Sequence, residues 1–163
     1  MHYLDKIGGQ SLNQFFLDNG KAEPLRKGSH SRRKPDSNAN LMKKKILIVE
    51  DEALVAESLR EILKGAGYFV VAVLSSGEEA IQAISDSAVD LMIMDVRLSG
   101  ELTGVEAVRV IHETIKAVPV VFLTAFAEDL YPQISSISHN LYRYVSKPYA
   151  QSEIEQAVQE LLS

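Results

Sequence analysis

The chain has 163 residues, 46% of them apolar and 24% charged, with a formal net charge of −5 and no cysteine. That balance is ordinary for a globular chain. The missing thiols exclude disulfides, thiolate metal sites and cysteine nucleophiles, and no apolar run approaches the roughly 20 residues of a membrane span.

The charge is uneven. Residues 1–45 carry 10 Lys/Arg against 4 Asp/Glu, whereas residues 46–163 carry 7 against 18. The acidic part is therefore a poor nucleic-acid binder by long-range electrostatics. Residues 1–43 read as an N-terminal extension, disordered or partly helical. Leu4, Ile7, Leu12, Phe15 and Phe16 form a loose apolar stripe that Gly8-Gly9 interrupts. Gly20 to Asn40 has the Lys, Arg, Ser, Asn and Pro content of a linker, and its basic part reads as a solvated tail. Met1-His2-Tyr3-Leu4-Asp5 lacks the basic and apolar regions of a signal peptide, so the cytoplasm is the expected compartment. Met42-Lys43-Lys44-Lys45 also looks like a natural start of translation.

Residues 44–163 read as one domain in which strand and helix alternate five times. Lys45 to Val49 is an apolar, β-branched strand that ends on Glu50-Asp51-Glu52. Leu54, Val55, Leu59, Ile62 and Leu63 keep a helical period up to Gly65 and Gly67, which end the helix. Tyr68 to Leu74 is the second strand, and Ser76-Gly77-Glu78-Glu79 has the spacing of a capping box before a helix on Ala80, Ile81 and Ile84. Residues 90–95 form the central strand, stopping on Asp95. Gly104 precedes a helix with Val105, Val108, Ile111 and Ile115 on one side, and Pro119 opens the fourth strand, which ends on Thr124. Residues 127–138 make a weaker helix, because four serines lower its propensity and Pro132 is tolerable only in a first turn. Residues 142–146 form the fifth strand, ending on Lys147-Pro148, and Ile154, Ala157, Val158 and Leu161 mark a last helix. Such alternation implies a parallel sheet with right-handed crossovers and helices on both faces. After the fifth helix no output domain is expected, so the chain reads as a stand-alone module.

In an open parallel sheet, ligands bind at the carboxyl ends of the strands. Those ends carry Glu50, Asp51, Asp95, Thr124 and Lys147. Two carboxylates about 4 Å apart repel by about 4 kcal/mol at an effective dielectric near 20. A cluster of three therefore either raises pKa values or takes a hard cation, and an all-oxygen set with open positions suits Mg²⁺. Glu52 is better read as a solvated helix-start charge. With Lys147 and Thr124 at hand, Asp95 is placed to form an aspartyl phosphate, since carboxylates act as nucleophiles toward phosphorus.

Four motifs then resemble the receiver domain of response regulators, in that family's order and spacing. They are Ile46-Leu47-Ile48-Val49-Glu50-Asp51-Glu52, Met94-Asp95-Val96-Arg97-Leu98, Leu123-Thr124-Ala125 and Ser146-Lys147-Pro148. The resemblance covers about residues 44–162. It implies an α/β, flavodoxin-like, doubly wound sheet of five parallel strands in the order 2-1-3-4-5, an order illustrated generally by a member of this family. It further implies that Asp95 accepts a phosphoryl group from a histidine kinase or phosphotransfer protein. Glu50, Asp51, Asp95 and the Arg97 backbone carbonyl would hold Mg²⁺ or Mn²⁺, while Thr124 and Lys147 would contact the phosphoryl group. Lys147-Pro148 would be a cis peptide, and Thr124 and Tyr144 would form the conformational switch. Partners implied are the phosphodonor, a downstream protein bound through the 127–162 face, and a second copy in a homodimer, with neither DNA nor membrane bound directly.

Some positions depart from the family pattern. Ser99 stands where proline is common, and Thr103 where aspartate often precedes Gly104. Ser138 to Tyr144 lacks the usual Gly-Ala-x-Gly turn, and His139-Asn140 can make that turn, since Asn tolerates the left-handed conformation. His112 and His139 are lone histidines and read as surface or core residues. Arg97 and Phe126 flank the expected path of hydrolytic water, and neither orients water well, so self-dephosphorylation is expected to be slow. Two alternatives are a pseudo-receiver used only for protein contact and a small phosphohydrolase. Asp95-Val96-Arg97 lacks the second acid that such a hydrolase needs.

Overall fold

The computed structural model describes residues 43–163. The expected extension at residues 1–43 lies outside the described residues, apart from Lys43. The strands are β1 (Lys45–Val49), β2 (Phe69–Leu74), β3 (Leu91–Asp95), β4 (Val120–Thr124) and β5 (Tyr142–Ser146). The helices are α1 (Ala53–Gly65), α2 (Gly77–Asp86), α3 (Gly104–Thr114), α4 (Ala127–Ile134) and α5 (Gln151–Leu162), with a 3-10 turn at His139–Leu141. All strand pairs are parallel and the order is β2-β1-β3-β4-β5, as the resemblance implies.

The pleat divides the core. Ile46, Ile48, Leu91, Ile93, Val121 and Leu123 pack with Leu59 and Leu63 of α1 and Ile154 and Val158 of α5. The alternate residues Leu47, Val49, Met92, Met94 and Phe122 are also fully buried, on the other face. β1, β3 and β4 are thus covered on both sides, which is why they read as continuous apolar runs rather than as alternating ones. The edge strand β2 is only partly buried, and its register against β1 shifts so that Val70 and Ala72 face Ile46 and Leu47 in succession. Val71 is the extra residue of that bulge.

Several expectations are corrected. Leu54 is 88% exposed, because Ala56, Leu59 and Leu63 form the buried stripe of α1 and Leu54 lies on the opposite side of the helix. α4 stops at Ile134 instead of reaching 138, and Pro132 sits in its second turn rather than its first. Without an N–H, Pro132 cannot bond back to the preceding turn, so the helix stays short. Ile137 then turns back with its N–H on the Ile134 carbonyl at 2.8 Å. The turn before β5 is the 3-10 turn, closed by Leu141 N–H on Ser138 O at 2.8 Å. No described non-glycine residue has positive φ, so Asn140 is not left-handed. His139 and Arg143 hold this turn instead: His139 Nδ1 lies 2.9 Å from Tyr142 Oη, and Arg143 Nη1 donates to the His139 and Tyr142 carbonyls. His112 Nε2 is 2.7 Å from the Val118 carbonyl, so both histidines are structural.

The capping box at Ser76 and Glu79 forms as its spacing predicts, and Thr103 with Glu106 forms a second one at the start of α3. That second box brings α3 hard against the end of β3. A Cβ on Gly104 would lie 2.0 Å from the Asp95 carbonyl oxygen and 2.8 Å from Met94 Cγ. Only glycine lets the helix backbone come this close. Gly104→Ala is therefore expected to destabilise the fold by about 3 kcal/mol in urea unfolding. Gly65→Ala, where a Cβ meets nothing within 4 Å, serves as control. A loss below about 1 kcal/mol would show that α3 can retreat freely.

Candidate functional site

The three carboxyl ends at the middle of the sheet converge. β1 and β3 are neighbours in register, with Val49 opposite Met94, so Glu50 and Asp51 follow one strand as Asp95 closes the next. Glu50, Asp51 and Asp95 each offer an oxygen within 4.8 Å of the others. Glu50 and Asp95 are buried, whereas Asp51 is exposed. β4 pairs with β5 so that Thr124 faces Ser146, and the Lys147 N–H continues that ladder onto the Thr124 carbonyl at 2.8 Å. Lys147 thereby leaves the sheet one residue beyond Thr124 and reaches back across it. Its Nζ donates to Asp95 Oδ2 at 2.6 Å and to Glu50 Oε2 at 2.9 Å. The peptide between Lys147 and Pro148 is cis.

Electrostatics hold this arrangement in balance. Burial pushes the Glu50 carboxyl above its ordinary value, against the Lys147 hydrogen bond and the Glu52 N–H, while the Asp95 charge pushes the same way as burial. Burial pulls the Lys147 ammonium down, but its hydrogen bonds to Asp95 and Glu50 and their charges outweigh this and hold it above the usual lysine value. Tyr149, partly buried beside the site, is raised chiefly by burial. Three carboxylates against one ammonium leave a formal excess of two negative charges. An all-oxygen set with that excess fits a hard divalent cation such as Mg²⁺.

The remaining site residues are close by. Asp95 Oδ1 accepts the Arg97 N–H at 3.0 Å, which tightens the chain as it leaves β3. Thr124 is buried, and its Oγ1 accepts the Phe126 N–H at 3.1 Å. The Arg97 guanidinium carbon lies 5.0 Å from the centre of the Phe126 ring, a cation–π pair spanning the ends of β3 and β4. Tyr144 pairs with Phe122 in the sheet register and its side chain is 52% exposed. Glu52 stands at the start of α1 with no side-chain capping bond, as expected of a solvated charge.

Sequence reasoning missed two contacts. The Ser99 N–H donates to Asp51 Oδ2 at 3.1 Å, and Glu78 Oε1 accepts the N–H groups of Glu101 and Leu102. The absence of proline at position 99 was the available signal for the first. Nothing in a linear pattern announces the second.

The family profile described as response regulator receiver domain matches residues 46–159. The chain belongs to the response regulator receiver family. Among curated relatives, the receiver is 34% identical over 109 residues to the transcriptional regulatory protein YvrH of Bacillus subtilis, covering 67% of this chain and 45% of that one. It is 33% identical over 113 residues to the DNA-binding response regulator MtrA of Mycobacterium tuberculosis, covering 69% and 48%. The chain thus spans about half the length of these relatives. A receiver domain of a Pseudomonas aeruginosa sensor histidine kinase, solved with a magnesium ion coordinated in its active-site cleft, matches at a TM-score of 0.65 and 26% identity, covering 74% of this chain and 98% of that one. The CheY-like receiver of Methanospirillum hungatei matches at a TM-score of 0.66 and 22% identity over 74% and 94%, which shows the shared fold. No helix among the described residues is long and apolar enough to cross a membrane.

The charge balance is testable. Lys147→Met leaves two buried carboxylates without their cation. The expected cost is about 3 kcal/mol at neutral pH with a chelator present, the lower end for a broken buried pair because Lys147 keeps 22% side-chain exposure. Glu50 already titrates above its ordinary value, and losing the ammonium raises it further. A raised carboxyl favours the protonated folded state, so the gap to wild type should narrow as pH falls toward about 5. A gap that stays constant over that range would show that Lys147 does not offset the two acids.

Proposed function

We propose that residues 44–163 form a phosphoacceptor receiver that takes a phosphoryl group on Asp95 from a histidine kinase or phosphotransfer protein of a two-component system. The observation that carries this reading is the Lys147 ammonium, bonded to both Asp95 and Glu50 within the acid cluster at the sheet's carboxyl edge. In the transfer, an Asp95 carboxylate oxygen bonds to phosphorus as the bond to the donor's histidine nitrogen breaks. Lys147 follows the charge from the carboxylate to the phosphoryl oxygens, and the buried surroundings strengthen that interaction. Mg²⁺ or Mn²⁺, held by Glu50, Asp51, Asp95 and the Arg97 carbonyl, would neutralise the remaining negative charge on those oxygens. Thr124 keeps its hydroxyl proton free to donate, because its present bond uses only the oxygen as acceptor.

Two conformations then differ in partner affinity. Thr124 drawn toward the phosphoryl group would leave space beneath β4, and Tyr144, now outward, would turn in to fill it. Tyr131 and Tyr144, 60% and 52% exposed, lie on the 127–162 face through which a downstream protein or a second copy would bind. The acidic balance of residues 46–163 favours a protein target over DNA. The Arg97–Phe126 pair supplies neither an acid nor an amide to orient water, which supports slow loss of the phosphoryl group. The departures from the family pattern at 138–144 rebuild a turn away from Asp95, so they do not favour a phosphorylation-independent module.

Intact mass after incubation with Mg²⁺ and acetyl phosphate tests the reading. One phosphoryl adduct is expected on wild type and none on Asp95→Asn, with the adduct decaying over minutes or longer. No adduct together with no Mg²⁺ binding would replace the proposal by the pseudo-receiver. A half-life of seconds would refute the slow-decay element alone.

A further inference from the structure

The loop from Leu98 to Thr103, which joins β3 to α3, is tied to three separate places. The Ser99 N–H donates to Asp51 Oδ2 at 3.1 Å, and Ser99 Oγ donates to the Ser75 carbonyl at 3.3 Å. The Glu101 and Leu102 N–H groups donate to Glu78 Oε1 at 3.0 and 3.1 Å. Gly100 turns between these anchors at φ +119, a left-handed value that side chains disfavour. A Cβ there would stand 2.8 Å from Glu78 Oε2, an oxygen that is itself buried without a partner. The loop is therefore wrapped closely around the Glu78 carboxylate, and Ser99 is carried with it.

Asp51 is differently placed from the other two acids. Glu50 and Asp95 are buried and held by Lys147. Asp51 is exposed, and the Ser99 N–H is the one hydrogen bond its side chain makes among the described residues. A free surface carboxylate turns through its rotamers and offers either one or both oxygens to a cation. The amide on Oδ2 fixes the side chain's orientation and takes up part of that oxygen's acceptor capacity, so Oδ1 is the oxygen left without a partner among the described residues. Mg²⁺ is held by one oxygen per carboxylate and keeps several waters, whereas Ca²⁺ accepts bidentate carboxylates at longer distance. Proline at position 99 would have no N–H to give.

We propose that Ser99 is a positioning residue for the cation site: its backbone N–H orients Asp51 as a one-oxygen ligand, so that the β3–α3 loop raises Mg²⁺ affinity and favours Mg²⁺ over Ca²⁺. This rests on the reading that Glu50, Asp51 and Asp95 hold the cation. The partner of a ligating carboxylate acts through that ligand, and losing such a partner typically costs 10–100-fold in affinity.

Calorimetric titration of Mg²⁺ and of Ca²⁺ into the full chain separates the possibilities. Ser99→Ala keeps the N–H and loses only the Oγ bond, so its Mg²⁺ affinity should stay within about twofold of wild type. Ser99→Pro removes the N–H and should weaken Mg²⁺ roughly tenfold, with a smaller loss for Ca²⁺. Equal Mg²⁺ affinity in both variants, with the Ser99→Pro melting curve unchanged, overturns the proposal, and so does an alanine variant as weak as the proline one. If Ser99→Pro does not fold, hydrogen exchange of the Ser99 amide in metal-free wild type decides. Protection supports the bond to Asp51, and exchange at the unstructured rate overturns it. Wild type that binds no Mg²⁺ defeats the cation reading, and this inference with it. Wild type that binds Mg²⁺ while Ser99→Pro binds it equally well defeats the inference alone.

Discussion

The bonds from Lys147 to Glu50 and Asp95 are the constraint on which the rest of this structure depends. The sheet is built from strands buried on both faces, and burial makes an unpaired carboxylate expensive. Yet the carboxyl edge of that sheet carries one acid that is fully buried and another that nearly is. A single ammonium, entering from the last strand, makes their burial tolerable. This explains why the chain must pass β5 before the site is complete: Glu50 directly follows β1 and Lys147 directly follows β5. It also explains the modest excess of negative charge that remains, which is too large to ignore and suited to one small divalent ion.

The fold was legible because most of its determinants are local. Double burial of β1, β3 and β4 yields uninterrupted apolar runs, and the capping box at Ser76 and the glycines Gly65 and Gly67 at the end of α1 mark helix ends without help from tertiary contacts. The site was legible because a parallel sheet puts the residue after each strand on one edge, so Asp95, Thr124 and Lys147 could be placed together from their positions alone. Reading failed where a choice depends on space. Leu54 is apolar and still faces solvent, since the buried stripe of α1 runs through Ala56, Leu59 and Leu63 on the opposite side. Asn140 tolerates the left-handed conformation, but a 3-10 turn braced by Arg143 needs no such residue. The backbone bond from Ser99 to Asp51 links residues 48 positions apart and uses an N–H that almost any residue possesses. Its only trace in sequence is that the residue is not proline.

Gly104 connects the two levels. It begins a helix, packs that helix onto the peptide of Asp95, and donates its N–H to the Val96 carbonyl at 3.0 Å. The backbone that carries Asp95 is thereby clamped between β4 and α3. Val96 N–H bonds the Leu123 carbonyl on one side, while its own carbonyl takes the Gly104 N–H on the other. In the proposed transfer, Asp95 on so rigid a support would need little reorganisation to meet a phosphodonor.

The bulge at Val71 has a consequence of a different kind. β2 is one of the two edge strands of the sheet, its sequence Phe-Val-Val-Ala-Val-Leu is apolar and β-branched, and Val73 is exposed. A flat strand of that composition would invite the strand of another molecule to add to it. A bulge bends its strand and increases the local twist, which makes β2 a poorer template for a further strand. The same irregularity that shifts the register with β1 thus works against strand addition at this edge.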